Sequence, residues 1–333
     1  MSECAPVSLS TRLTERFGIR TPILSAPMAF AGGGALASAV TGAGGLGLIG
    51  GGYGDDTWLD EQWRLAGPSA IGVGFITWSL RKSPALLTAV LRHRPKAVML
   101  SFGDPRPFVD EIRAAGAAII CQCQSLDHVW DAIDIKADVI VAQGTEAGGH
   151  GALRGLVSFV PEAADLIRAE APEAILVAAG GIADGRGLAA ALALGAEGVL
   201  VGTRFWASRE ALVHPRHHHA IVEATGDETI RTSVVDIARQ IAWPPGFTAR
   251  VRRNAFTSRW HGHEAALADA IAAEAPRYRQ AFVEGDPDNT GVWFGEAAGL
   301  IADIQPAAAI VQSMTSDALA ILRRLGGQDA PTG

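Results

Sequence analysis

The stretch Gln143-Gly-Thr-Glu-Ala-Gly-Gly-His150-Gly151 sets one histidine in a loop of small residues. Histidine exchanges protons near neutral pH. Glycine lets a ligand approach the backbone closely. The apolar run Val139–Ala142 comes just before the loop, so the pattern describes a buried strand ending at a ligand-facing rim. Proton transfer beside a closely held ligand is the chemistry such a rim supports. His150 could instead merely cap a loop, but its glycine neighbours at a strand end favour the functional reading. Glu146 is read as orienting the loop through nearby N–H groups rather than as a second base.

Two more strand ends share this character: Ala178-Ala-Gly-Gly-Ile-Ala-Asp-Gly-Arg-Gly187 and Val201-Gly-Thr-Arg-Phe205. Successive glycine N–H groups, followed by a helix start, suit an anion. Gly180, Gly181, Gly202 and Thr203 are therefore candidates for a phosphate cradle, and tight strand–helix turns are the alternative. The stretch Ser25-Ala-Pro-Met-Ala-Phe30 offers small residues and a thioether to a flat ring, although Met28 fits plain core packing equally well.

Other candidates are weaker. His217-His-His219 reads as a solvated helix face, because adjacent helical residues point in different directions. His261-Gly-His263-Glu264 lacks a metal-ligand spacing, and no metal site is expected. Cys121 and Cys123 share one strand face and are read as packing. Arg250, Arg252 and Arg253 divide evenly between attracting an anion and lying on a charged helix surface. Gly50-Gly-Gly-Tyr-Gly54 lacks the ordered glycines and acidic partner of a dinucleotide site.

The elements that must position these residues alternate along the chain. Eight apolar runs read as strands: Pro22–Met28, Leu46–Gly50, Ala70–Ile76, Ala97–Gly103, Ala117–Cys123, Val139–Gly144, Ile175–Gly181 and Gly198–Phe205. Segments of helical spacing lie between them, such as Gly33–Ala43, Ser83–His93, Ser125–Ile135, Ser158–Glu170 and Gly185–Gly195, with Ser125 and Ser158 as N-caps. Strand–helix alternation gives an α/β protein, and eight repeats favour a (β/α)8 TIM barrel over a doubly wound sheet. The expected division is a barrel over 1–210, a smaller, mostly helical domain over 211–303, and a helix over 304–325 that packs back on the barrel. The tail Gly326–Gly333 is read as loose.

Composition sets the class. The chain has 333 residues, 48% hydrophobic and 19% charged, as befits a globular enzyme. A net charge of −7 argues against a general nucleic-acid binder. No apolar run is long enough to span a membrane, and Met1–Gly18 lacks a signal-peptide pattern. Three cysteines, Cys4, Cys121 and Cys123, fit a reducing, cytoplasmic compartment.

Taken in order, Ala26-Pro-Met28, Gly44-Gly-Leu-Gly47, Glu146-Ala-Gly-Gly-His150, Ala179-Gly-Gly-Ile-Ala-Asp-Gly-Arg186 and Gly202-Thr-Arg-Phe205 resemble the nitronate monooxygenase (2-nitropropane dioxygenase) family. Trp243-Pro-Pro-Gly246 and Arg253-Asn-Ala-Phe256 extend the resemblance beyond the barrel. It implies an FMN-binding barrel that oxidises an alkyl nitronate or nitroalkane with O2, in an assembly that allows a homodimer. It also implies positions. Pro27, Met28 and Ala29 would border the flavin, Gln122 and Gln143 would face it, and Gly148 and Gly149 would pass close to the ring. Gly180, Gly181, Gly202 and Thr203 would hold the phosphate, and His150 would face the substrate. Some relatives carry Lys at the position of Gln122 and an acidic residue at that of Gln143, so anionic flavin forms would be less stabilised here. NAD(P)H:quinone reductases and flavin-type enoyl-ACP reductases share two of these stretches, which makes a reductase the alternative reading. A barrel without a cofactor, serving as a binding protein, is a third; the intact glycine loops argue against it.

Overall fold

The structure is a computed structural model that describes residues 8–327. Cys4 and the tail residues 328–333 lie outside them. Short, nearly continuous apolar runs form β1 (Ile23–Ser25), β2 (Leu48–Gly50), β3 (Gly72–Ile76), β4 (Ala97–Ser101), β5 (Ala118–Cys123) and β6 (Val139–Gln143). The short strand β7 (Gly149–Gly151) follows, then β8 (Ile175–Ala179) and β9 (Val199–Val201). Apart from β7 these strands are parallel, in the order β1-β9-β8-β6-β5-β4-β3-β2. Leu24 bridges Leu46, Ser25 N–H donates to the Leu46 carbonyl at 3.0 Å and Leu46 N–H to the Ile23 carbonyl at 3.0 Å. These contacts close the ring, so the eight expected strands make a (β/α)8 barrel.

The two-residue period of each strand divides the core. Ile119, Cys121, Ile140, Leu176 and Val199 pack outward against the helices. Met99, Ile120, Val139, Val141, Val177 and Leu200 fill the barrel interior. The same alternation turns Gln122 and Gln143 inward at their strand ends. Both Cys121 and Cys123 lie in the outer layer, where burial pushes the Cys121 thiol up to about 12.

Ser125 caps helix Leu126–Asp134, its hydroxyl accepting from His128 N–H at 3.3 Å. Ser158 is not a cap. That helix starts at Leu156, and Ser158 sits in its first turn with its hydroxyl donating to the Gly155 carbonyl at 3.2 Å. The free Leu156 N–H is taken by the Glu146 carboxylate at 2.9 Å, so a side chain from another loop does the work of a local cap.

Beyond the barrel, β10 (Thr229–Thr232) and β11 (Thr248–Arg252) pair antiparallel, and β11 also pairs β7. Helices make up most of the regular structure over 211–303, whereas Arg250-Val-Arg-Arg253, read as a charged run, begins within β11. Thr-Ala-Arg-Val-Arg is in fact a polar–apolar alternation. Ala249 and Val251 pack with Ile230 and Val234, while the arginines point the other way. Helix Ala307–Leu325 lies on barrel helices Gly185–Ala193 and Gly34–Ala43. Gly185 permits the approach, since a Cβ there would sit 2.5 Å from Ala318 N.

Candidate active site

The carboxyl ends of the barrel strands open into a cavity of about 760 Å³. Its lining includes Pro27, Met28, Ala29, Gln122, Gln143, Gly148, Gly149, His150, Gly180, Gly181, Gly202 and Thr203. These twelve candidates read from sequence therefore converge on one space.

His150 is in β7, whose pairing with β11 sets it opposite Ala249. Gln143 Nε2 donates to the His150 carbonyl at 3.0 Å, and Gln124 Nε2 donates to Gln143 Oε1 at 2.9 Å. Gln143 thus fixes the loop that carries the histidine. Arg231 and Arg250 grip the same loop through the Thr145 carbonyl, at 3.0 and 2.9 Å. Arg250 also pairs with Glu296 at 2.9 Å, and Arg252 lies 3.8 Å from Asp288. Arg250, Arg252 and Arg253 do not line the cavity; Arg239 and Arg279 do.

The imidazole is held on two sides. His150 Nε2 lies 2.9 Å from Asp236 Oδ2, with side chains only 8% and 5% exposed. Its ring stacks on Trp243, centroids 3.4 Å apart and planes 9° from parallel. Burial pushes the His150 pKa down, outweighing the upward pull of the Asp236 hydrogen bond and charge. A neutral imidazole facing a carboxylate donates through Nε2–H, which leaves the Nδ1 lone pair as its acceptor. No described residue hydrogen-bonds Nδ1.

Asp236 is on helix Val234–Ala238, and its second oxygen lies 3.7 Å from Arg239. The Arg239 guanidinium covers Tyr53 and Trp293, and the Tyr53 hydroxyl accepts from Trp243 Nε1 at 3.2 Å. Phe102, at the end of β4, has φ 63 and contacts both Trp243 and Phe247 edge-on. A non-glycine residue in that region costs about 1–3 kcal/mol, and surrounding contacts must hold it there. Sequence reasoning missed Asp236, Arg239 and Tyr53. The one local signal is an acidic residue inside the apolar helix Val234-Val-Asp-Ile-Ala238.

Opposite this aromatic wall lies backbone suited to an anion. Gly180 and Gly181 have φ +112 and +70, conformations open to glycine. Among the described residues, no protein group accepts from their N–H groups or from that of Gly202. A Cβ on Gly202 would meet only Ala26 Cβ at 3.5 Å and Met28 Sδ at 4.0 Å, so the space beyond is clear of protein. Thr203 Oγ1 accepts from Gly295 N–H at 3.0 Å and keeps its own proton to donate. These groups fit a phosphate. Gly149 has φ +73 and open space around its α-carbon, whereas Gly148 is pressed against backbone, a Cβ there falling 2.5 Å from Gly295 N. The close approach that Gly148 permits is thus to the chain itself.

The histidine run is not a solvated face. His217 is buried and lines the cavity beside His214, His218 lies 3.0 Å from the Trp206 carbonyl through Nε2, and only His219 is exposed. Helix Pro215–Glu223 packs inward, which the polar run alone does not disclose. His261 approaches Thr232 Oγ1 at 3.1 Å, away from the cavity.

Residues 81–317 match the nitronate monooxygenase family. The chain is 37% identical to a nitronate monooxygenase of Metarhizium robertsii over 90% of this chain and 91% of that protein. It is 31% identical to a nitronate monooxygenase of Neurospora crassa, over 91% and 90%. Its structure is similar to FabK from Thermotoga maritima, with TM-score 0.83 and 31% identity, covering 96% of this chain and 100% of that one.

Proposed function

The chain belongs to the nitronate monooxygenase family of flavin-dependent oxidoreductases, and from that premise we propose that it oxidises alkyl nitronates, and neutral nitroalkanes, with bound FMN and O2. The observation that carries this reading is the buried His150–Asp236 pair, stacked on Trp243 at the cavity wall. FMN, when bound, supplies the electron acceptor for the substrate and the centre that reacts with oxygen. Gly180, Gly181, Gly202 and Thr203 would hold its phosphate, Pro27, Met28 and Ala29 would border it, and Gln122 and Gln143 would face it. Ser101 steadies Gln122, its hydroxyl donating to Oε1 at 2.8 Å.

His150 is the base for a neutral nitroalkane. With Nε2–H committed to Asp236, Nδ1 takes the α-proton, and the resulting imidazolium is stabilised by the adjacent carboxylate. The protonated nitrogen then donates to the nitronate oxygens. Trp243, Phe102 and Trp293 keep water from the substrate. His150→Asn should retain FMN and nitronate turnover but lose nitroalkane turnover. Undiminished turnover of neutral nitroalkane in that variant would sink the proton-abstraction role.

The similarity to FabK favours one other reading, a reductase in which NAD(P)H and then a quinone or enoyl thioester enter the same space. Anaerobic titration decides. Loss of the visible flavin band with alkyl nitronate but not with NADH or NADPH supports nitronate oxidation, and rapid loss with nicotinamide alone moves the assignment to the reductase.

A further inference from the structure

Helix Ile271–Glu284 turns one stripe to the cavity: Ala275, Tyr278, Arg279, Phe282 and Val283, at the three- and four-residue spacing of a single face. Its inner members, Ala275 and Tyr278, are buried. Its outer members are not, with Phe282 50% and Val283 68% exposed. Leu212, also on the cavity lining, is 50% exposed. Single exposed apolar side chains are ordinary, but several converging on one cavity mouth mark a binding surface.

Two polar groups share that region. His217 is 4% exposed, its ring lies 6.4 Å from that of Phe282, and its Nε2 has no hydrogen-bond partner among the described residues. A buried nitrogen without a partner is costly unless a ligand supplies one. Arg279 lines the cavity, is exposed, and forms no ion pair with any described carboxylate. The proton transfer proposed at His150 uses none of these groups.

We infer that the cavity mouth is a tail subsite: it takes an amphipathic substrate whose apolar chain lies along Leu212, Phe282 and Val283, and whose carboxylate is bound by Arg279 with His217 Nε2–H as second donor. The inference rests on the reading of the cavity floor as the oxidation site, since the chain is then part of the oxidised molecule. The cavity lining carries apolar side chains at Leu212, Phe282 and Val283 besides the His150–Trp243 stack, and Arg279, without an ion-pair partner among the described residues, sits on the same stripe. The ligand's charge and apolar length both follow from that placement.

Binding can be read without turnover. Straight-chain carboxylates from butanoate to dodecanoate, and the matching primary alcohols, are titrated into the holoenzyme and followed by tryptophan fluorescence, since Trp206, Trp243 and Trp293 line the cavity. Affinity should rise about fourfold per methylene over part of the series. Carboxylates should bind about tenfold more tightly than the alcohols. Arg279→Ala should remove that preference and keep the chain-length slope, whereas Phe282→Ser and Val283→Ser should flatten the slope. A flat series in the wild type overturns the inference, and so does an unchanged slope in both serine variants. If those variants instead dissociate a dimer in sedimentation and leave chain binding untouched, the patch is an interface between copies and the tail subsite falls. Chain-dependent binding without nitronate turnover would remove the oxidation reading alone. Turnover of short nitronates with a flat series would remove the subsite alone.

Discussion

Asp236→Asn separates the two things the carboxylate does for His150. The pair is 2.9 Å apart and almost wholly buried, so its strength is that of a charge-assisted hydrogen bond away from water. Such a bond contributes about 1.5–3 kcal/mol against about 0.5–1.5 for a neutral one. If the amide oxygen keeps the Nε2–H bond, the loss is about 1.4 kcal/mol, or tenfold in kcat/KM for a neutral nitroalkane. If the amide nitrogen faces the ring, the proton moves to Nδ1 and the base is lost, which costs roughly two decades or more. The direction of the pKa change follows from the structure. Burial lowers the His150 pKa and Asp236 opposes it, so removing the charge lets the pKa fall further. The acid limb of kcat/KM for nitroalkane should therefore move to lower pH while its plateau drops. Preformed nitronate, which needs no proton removed, should lose much less. The fold should survive, because Arg239 keeps its contacts with Tyr53 and Trp293. Paired pH–rate profiles on nitroalkane and nitronate provide the measurement. An acid limb that stays or moves upward, or equal losses on both substrates, would refute the reasoning.

Gly202→Val adds side-chain atoms where the chain leaves room, so the apoprotein should melt within a few degrees of wild type while FMN retention drops at least tenfold; absorbance of the purified protein and apoprotein melting check both. Arg250→Met strips a donor from the Thr145 carbonyl and the partner from Glu296, and should lower stability by about 2 kcal/mol in urea unfolding. Burial, with help from His214 and Arg216, pushes the His217 pKa down to about 4. Both states are neutral above about pH 6.5, and as pH falls below that the unfolded chain takes the proton first. Stability should therefore drop between pH 6.5 and 4, by up to about 3 kcal/mol from this residue. His217→Leu should flatten that part of the urea midpoint against pH, and an unaltered dependence would show that the residue is not buried neutral.

The barrel was legible because its signals are local. A run such as Val139-Ile-Val-Ala-Gln143 carries its own period, and a strand end carries its own glycines. Gln122 and Gln143 were placed by the family resemblance rather than by period, and the strand alternation in the structure turns both inward. Thr248–Arg252 was equally local, but its alternation was short and its arginines masked it. Ser158 failed as a cap because the helix begins two residues earlier, with Gly155 at the cap position and Glu146, ten residues before Leu156, accepting the Leu156 amide.

The sequence by itself determined the eight-fold alternation, the anion-ready glycine loops and the single histidine among small residues. Each follows from residues that are neighbours in the chain. Only the tertiary structure decided what His150 is. Asp236 is 86 residues away, and it reaches the ring because β11 pairs with β7 and carries its segment over the barrel mouth. It likewise decided that His217 faces the cavity and that Arg250 faces the loop. Local patterning fixes which way a side chain points from its own element. Which distant element it then meets depends on how those elements pack, and burial, the change in basicity and the choice of tautomer arise at that contact.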